Sequence, residues 1–208
     1  MRVISGNLAT LPSGLYTKIA RYRYEVFVER LGWDLKTFGG LEYDQFDRRD
    51  TIHIVAENDD GRIVGCARLL PTVRPYLLGE VFPYLLDDEV PPCSDAIWEL
   101  SRFAAFDHLS ETVGQVKQCS SPVAVDILRE SIMSAANQGA KRLITVSPVG
   151  VERLLRLAGF KARRAGRAMI INGHAIVACW IDVVDEKPRH QSADLMRAHE
   201  VGKISHCQ

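Results

Sequence analysis

Long apolar runs are missing from this chain: no stretch comes near the roughly 20 consecutive apolar residues that a membrane-spanning helix needs. The opening segment, MRVISGNLATLPSG, also lacks the apolar centre of a secretory signal. We therefore expect a soluble protein that stays in the cytoplasm, with no membrane insertion. Cysteine is sparse and badly placed for disulfides or metal. The five thiols, Cys66, Cys93, Cys119, Cys179 and Cys207, are odd in number and scattered, with no CxxC pair and no Cys/His cluster. They read as reduced structural thiols, and no metal site is expected. Cys66 and Cys179 stand in apolar runs, where a thiol packs as a small hydrophobe. Internal repeats, low-complexity tracts and a Pro/Gly-rich linker are absent as well. At 208 residues, 47% hydrophobic and 25% charged, the chain has the size and composition of one globular domain.

Net charge is absent too, with 26 basic residues against 26 acidic, but the local balance is uneven. Lys141, Arg142, Arg153, Arg156, Lys161, Arg163, Arg164 and Arg167 stand close together with a single acidic neighbour, Glu152. Eight against one gives +7, which leaves −7 for the rest of the neutral chain. A basic surface on an otherwise acidic protein suits an anionic partner or plain solvation.

Hydrophobic periodicity alternates along the chain. Arg2–Ser5 reads as a short strand, and residues 12–31 as a helix striped by Leu15, Ile19, Tyr22 and Val26, with Arg23, Phe27 and Arg30 on the adjoining stripe. Gly32, Gly39 and Gly40 mark a long irregular loop. TIHIVAEN and RIVGCARLL, joined by DDG, predict an antiparallel hairpin. A helical excursion over 76–90 precedes a strand over 96–106. SSPVAVDILRESIMSAANQG predicts a helix with Ser121 as N-cap, Pro122 at its first position, a core stripe of Val125, Leu128 and Ile132, and Gly139 as its stop. RLITVS reads as a buried strand, VGVERLLRLAG as a short helix and HAIVACWIDVV as a last long strand. The domain spans 1–184, and 185–208 is a polar tail expected to be mobile. This order predicts an α/β protein, an α/β/α sandwich around one mixed, mainly antiparallel sheet. It resembles the GNAT acyltransferases. Their usual Arg/Gln-x-x-Gly-x-Gly/Ala loop, whose amides bind pyrophosphate, is absent, and GQVKQCSSP stands in its place.

The strand WELSRFAAF, Trp98–Phe106, carries two charges among aromatic and aliphatic residues. Desolvating a carboxylate or guanidinium is costly unless it is paired. Strand alternation puts Glu99, Ser101 and Phe103 on one face and Trp98, Leu100 and Arg102 on the other. Either each charge finds its own partner, or a bulge between them brings both to one cleft. We expect the bulge.

RYRYEVFVERLGW, EYDQFD, CARLLPTVRPYLL, ELSRF and TVSPVGVERLLRLAGF occur in this order, and together they resemble the acyl-homoserine lactone synthases, LuxI-type autoinducer synthases of bacteria, over about residues 15–183. The family's recurrent positions fall on Arg23, Phe27, Trp33, Asp44, Asp47, Arg68, Glu99 and Arg102. The resemblance implies an acyltransferase that makes a quorum-sensing signal, with S-adenosylmethionine as amine donor and an acylated acyl carrier protein as acyl donor. Amide formation is followed by lactone closure and release of 5′-methylthioadenosine. No cofactor is implied, since S-adenosylmethionine is a substrate, and nucleic acid has no part.

Glu99 is the candidate base for the amine, because desolvation raises a carboxyl pKa. Arg102 either orients Glu99 or braces the loop. Phe27 and Trp33 suit a sulfonium and an adenine, and Arg23 the substrate carboxylate or the loop. Asp44, Asp47 and Arg68 either touch substrate or pair with Arg23 and Arg102 to pin the loop to the sheet. The family places an acyl slot between the sheet and the later helices, for which Leu100, Phe103, Ile127, Thr145, Ser147, Val149 and Leu154 are candidates by position, each of them alternatively a residue of the ordinary core. A hydroxyl of Thr145 or Ser147 facing the slot would bond a 3-oxo or 3-hydroxy group. Lys141, Arg142, Arg153, Arg156, Lys161, Arg163 and Arg164 are the candidate dock for an acidic carrier protein. Two other readings stay open: a GNAT-like N-acyltransferase using acyl-coenzyme A and another amine, and a catalytically silent binding module.

Overall fold

A computed structural model describes residues 1–106, 122–171 and 173–183, with the exception of the Leu154 side chain. Ser121, the segment from Gly114 that replaces a phosphate loop, Cys119, Cys207 and the tail from Asp185 lie outside the described residues.

Strand β1 (Arg2–Gly6) leads to α1 (Leu15–Arg23), which runs directly into a π-helical segment, Tyr24–Arg30. The one helix expected over 12–31 therefore starts later and widens midway. Over seven residues the apolar spacing cannot distinguish the wider winding from an α-helix. Leu15, Ile19, Tyr22 and Val26 are buried along the stripe, and so are Arg23 and Phe27, while Arg30 is exposed. The loop after Gly32 is not wholly irregular. It contains a small hairpin, β2 (Thr37–Phe38) and β3 (Leu41–Glu42), turned at Gly39 and Gly40. Both glycines have positive φ, as a type I′ two-residue hairpin turn requires.

The hairpin read from TIHIVAEN and RIVGCARLL is β4 (Ile52–Glu57) and β5 (Ile63–Pro71). The excursion before the next strand resolves into α2 (Leu77–Val81) and a 3-10 turn, Pro83–Leu86. Then follow β6 (Ile97–Ala105), α3 (Pro122–Asn137), β7 (Arg142–Pro148) and α4 (Val151–Leu157). Two short strands that the sequence reading missed, β8 (Ala162–Arg164) and β9 (Met169–Ile171), precede β10 (His174–Asp182).

The main sheet has the order β1-β4-β5-β6-β7-β10-β8, with β9 also paired to β10. Neighbours are antiparallel except β6 and β7, which run parallel. Helix α3 covers one face, packing Ala124, Ile127 and Leu128 with Ile54, Ala67, Leu69, Leu100 and Leu143. On the other face α1 sets Leu15, Ile19 and Tyr22 against Val55, Cys66 and Ala104. Beside it the α2 region sets Leu78, Leu85 and Leu86 against Ile144, Ala178 and Trp180. Burying one such Leu or Ile is worth about 1.5–3 kcal/mol, so hydrophobic contact holds both layers to the sheet. The result is the expected α/β/α sandwich.

Two irregularities of β6 build the site. Ser101 pairs with Arg68 and Ala104 with Cys66, so Arg102 and Phe103 together oppose Ala67. Arg102 has φ 50, a left-handed backbone suited to a bulge and uncommon for a residue with a side chain. The second irregularity is a parting of strands. Pairing between β6 and β7 runs from Ile97 and Arg142 only to Leu100 and Thr145, although the strands continue to Ala105 and Pro148.

Candidate active site

The bulge answers the question of the two charges. Glu99 and Ser101 stand opposite Leu70 and Arg68 on the face covered by α1 and α2. The extra residue delays alternation by one step, so Arg102 joins them there and Phe103 turns to the α3 face with Leu100. The expected bulge exists and begins at Arg102 itself. Cys66 completes it: its buried thiol donates to the Arg102 carbonyl at 3.2 Å. Burial pushes the Cys66 thiol up to about 12, which keeps it protonated and able to donate.

Arg102 is one member of a closed ring of six charges. Its Nη2 donates to Glu42 Oε1 and Asp44 Oδ2, each at 2.9 Å. Arg68 Nη1 donates to Asp44 Oδ1, and to Asp47 Oδ1 at 2.9 Å. Arg23 Nη1 reaches the same Asp47 oxygen at 2.9 Å, and Arg23 Nε donates to Glu42, which closes the ring. Each carboxylate thus bridges two guanidiniums. Arg23, Arg68, Glu42 and Asp47 have side chains no more than 2% exposed. Burial alone would raise the three carboxyls, but the facing guanidiniums outweigh it and hold all three below their ordinary range.

The ring joins α1, β3, the following loop, β5 and β6. It gives Asp44, Asp47 and Arg68 the loop-pinning contacts that were one of their two expected roles. Glu42 was missed. It stands at the head of EYDQFD, and a charge count would have found it, since three buried arginines need a third carboxylate beside Asp44 and Asp47. His53 lies opposite Arg68, with its buried ring edge-on to Tyr16 at 5.3 Å. Burial pulls its pKa down to about 4, so it is neutral near pH 7.

Glu99 is set apart from the ring. Its two carboxylate oxygens accept the Leu77 amide at 3.0 Å and the Leu78 amide at 2.6 Å, at the start of α2. The side chain is buried, and burial pushes its pKa up to about 7 against the pull of those amides and of Arg68 and Arg102. The amides were not legible in the sequence, because their position depends on how α2 folds back over β6. Phe27 and Trp33 stack with ring centres 4.9 Å apart, and the Arg102 guanidinium lies 5.7 Å from the Phe27 centre. Trp33 is partly exposed, 42%, and leaves an aromatic face open at the edge of this group.

Leu100, Phe103 and Ile127 meet in the α3-side core, and Thr145 pairs with Leu100 in register on that face. Ser147 follows two residues along β7 and is buried. Val149 lies just past the end of β7, which stops at Pro148, and is 39% exposed in the turn. Leu154 lies in α4, and its side chain is outside the described set.

The basic residues do not form one patch. Arg142 and Arg163 lie over the Trp180 ring, at 4.6 and 5.8 Å. Arg164, the next residue on β8, pairs instead with Glu152 of α4 at 3.1 Å, and Arg156 reaches Glu152 at 3.6 Å. Alternation along β8 sends neighbouring arginines to opposite faces. Lys141, Arg153 and Lys161 are exposed, and Arg167 is tied to Asp87 at 2.9 Å. No helix among the described residues is long and apolar enough to cross a membrane.

Comparison with known proteins agrees with this architecture. Residues 11–191 match the family model for autoinducer synthases. An acyl-homoserine-lactone synthase of Acinetobacter nosocomialis is 54% identical over 183 residues, spanning 88% of this chain and 100% of its own. The crystal structure of TofI in a ternary complex with an inhibitor and MTA is 41% identical, with a TM-score of 0.75 over 88% of this chain and 92% of its own. MesI, a CoA-dependent acyl-homoserine lactone synthase, is 29% identical, with a TM-score of 0.72 over 89% of this chain and 90% of its own. With these matches running through both the ring of charges and the parted strands, the chain belongs to the autoinducer synthase family of acyltransferases, built on a GNAT-like α/β/α fold.

Proposed function

We propose that this chain is an acyl-homoserine-lactone synthase that acylates S-adenosylmethionine from an acyl carrier protein thioester and then closes the lactone. The observation that carries this reading is Glu99, a buried carboxyl with its pKa at about 7, on the strand whose edge opens beside it. An amine must lose a proton to attack, and a base poised near neutral pH takes it. The Leu77 and Leu78 amides occupy one acceptor site on each oxygen, and a carboxylate has a second on each for the substrate.

The amine nitrogen forms its bond to the thioester carbonyl carbon, and Glu99 takes the proton. The oxyanion then collapses and expels the carrier's thiolate. Amides on the β6 edge past Leu100, where β7 no longer pairs, are our candidates for oxyanion donors. In the second step a carboxylate oxygen of the acylated substrate attacks its own γ-carbon. The carbon–sulfur bond breaks, its electron pair goes to sulfur, and neutral 5′-methylthioadenosine leaves. Attack within one molecule on a sulfonium needs positioning above all. The stacked Phe27 and Trp33 offer aromatic faces for that purpose, and the ring of charges fixes the loop beside them. The scheme uses no cofactor.

Leu100, Phe103, Ile127, Thr145 and Ser147 are the proposed walls of the acyl slot. The exposed cations Lys141, Arg153 and Lys161 support a carrier protein as donor. MesI's dependence on CoA makes a coenzyme A thioester the second reading. One experiment tests both. Purified protein is incubated with S-adenosylmethionine and matched acyl-carrier-protein and acyl-coenzyme A donors, and acyl lactone and methylthioadenosine are followed by mass spectrometry. Both products with the carrier-linked donors are expected; faster turnover of coenzyme A thioesters would select the second reading, and neither product from any donor would defeat both.

A further inference from the structure

A slot is as deep as the side chains on its floor allow, and one floor position beneath α3 has no side chain. Gly65 of β5 lies between Ala56 of β4 and Ala105 of β6 in the sheet register. These three residues form a low track, and Ile127 of α3 descends into it. A Cβ on Gly65 would stand 2.3 Å from Ile127 Cδ1, 3.0 Å from the Ala104 carbonyl oxygen and 3.3 Å from Val123 Cγ1. Two carbons pack at about 3.5–4.0 Å, so any side chain at this position displaces Ile127. Gly65 is not among the glycines at positive φ, so its backbone is open to other residues. What the glycine provides is a close approach between helix and sheet.

Ile127 is fully buried in the cluster that contains Leu100, Ala67 and Ala105, with Phe103 packed against it. This is the face on which β6 and β7 part. Val123 and the Ala104 carbonyl bound the track, so an Ile127 driven out of it moves into the layer it shares with Leu100 and Phe103. We propose that Gly65 is a specificity-determining residue: by letting Ile127 sink onto the sheet it sets the depth of the acyl slot, and so the longest acyl chain accepted. This rests on the acyl-slot reading given above.

Wild type, Gly65→Ala, Ile127→Ala and the double variant are each offered S-adenosylmethionine with an equimolar mixture of short to long saturated acyl donors. Lactones are quantified by mass spectrometry. In Gly65→Ala the ratio of long-chain to short-chain lactone falls by about tenfold or more, the discrimination that one methylene of pocket space supplies. In Ile127→Ala the ratio rises, and the double variant regains the long chains lost in Gly65→Ala. A ratio unmoved in a cooperatively folding Gly65→Ala overturns the inference. Should that variant fail to fold, an unmoved ratio in Ile127→Ala overturns it equally. Lactone from wild type together with an unmoved ratio leaves the synthase reading standing, whereas no lactone from wild type with any donor removes that reading and this inference with it.

Discussion

Glu99 links two pH dependences of opposite sign. Its carboxyl is raised from an ordinary value of about 4.3 in an unfolded chain to about 7 in the fold. The native state then holds that proton more tightly than the unfolded state, and stability falls as pH climbs between those two values. In the proposed mechanism catalysis runs the other way, since the base form of Glu99 fills as pH rises through about 7. Glu99→Gln should abolish both slopes, bind S-adenosylmethionine by calorimetry, and acylate it at least about 100-fold more slowly. Near-normal turnover would remove Glu99 from the chemistry. Glu42 is a residue of a different kind. Glu42→Gln leaves Arg23 and Arg102 short of a charge partner and should cost about 3–5 kcal/mol in urea unfolding. Pairing it with Arg102→Gln should cost less than the two single changes together. Spacing in the sequence pointed to Glu99 and Arg102, but not to Glu42, because its partners, Arg23 and Arg102, lie on two distant segments that only the fold brings near.

Among the elements, β6 was legible in its extent and in its need for a bulge, because two charges three residues apart cannot share a face of a regular strand. What fixes the bulge was less visible. Cys66 reads in sequence as one more small apolar residue, yet its thiol satisfies the Arg102 carbonyl. Cys66→Val, which removes that donor, should lower stability by about 1–3 kcal/mol, with partial recovery in Cys66→Ser. Thermal unfolding decides it, and equal loss in both variants would mean that packing matters and the donor does not. The π-helical turn after Arg23 escaped notice because its apolar stripe continues that of α1. The hairpin at Gly39 and Gly40 was hidden by its two-residue strands, β8 by its two arginines and short length, and β9 by its three-residue length.

For the molecule as a whole, the class of sheet and the two layers of helix followed from periodicity, while the distribution of charge over the surface did not. A run of basic residues counted along the chain becomes two groups once β8 sends Arg163 and Arg164 apart. Reversal of Arg153 and Arg164 to glutamate should raise KM for a carrier-protein donor and leave KM for S-adenosylmethionine nearly unchanged; an equal effect on both would rule out the dock. Acid should unfold the protein through its ring of charges. Glu42, Asp44 and Asp47 are depressed in the fold, so their stabilisation is complete above the ordinary carboxylate range near about 4 and is lost as pH falls toward their lower folded values. Scanning unfolding from neutral to acid pH would show it. The same ring has a consequence at long range. Three guanidiniums closed upon three carboxylates cancel at a distance, so the ring itself casts almost no field into solution. Among the described residues the exposed Lys141, Arg153 and Lys161 are not cancelled in this way, and their reach is a Debye length, about 8 Å at physiological ionic strength. If the proposed carrier-protein donor is the right one, added salt should weaken its capture steeply and that of S-adenosylmethionine hardly at all, which would make ionic strength a dial acting on one substrate and not the other.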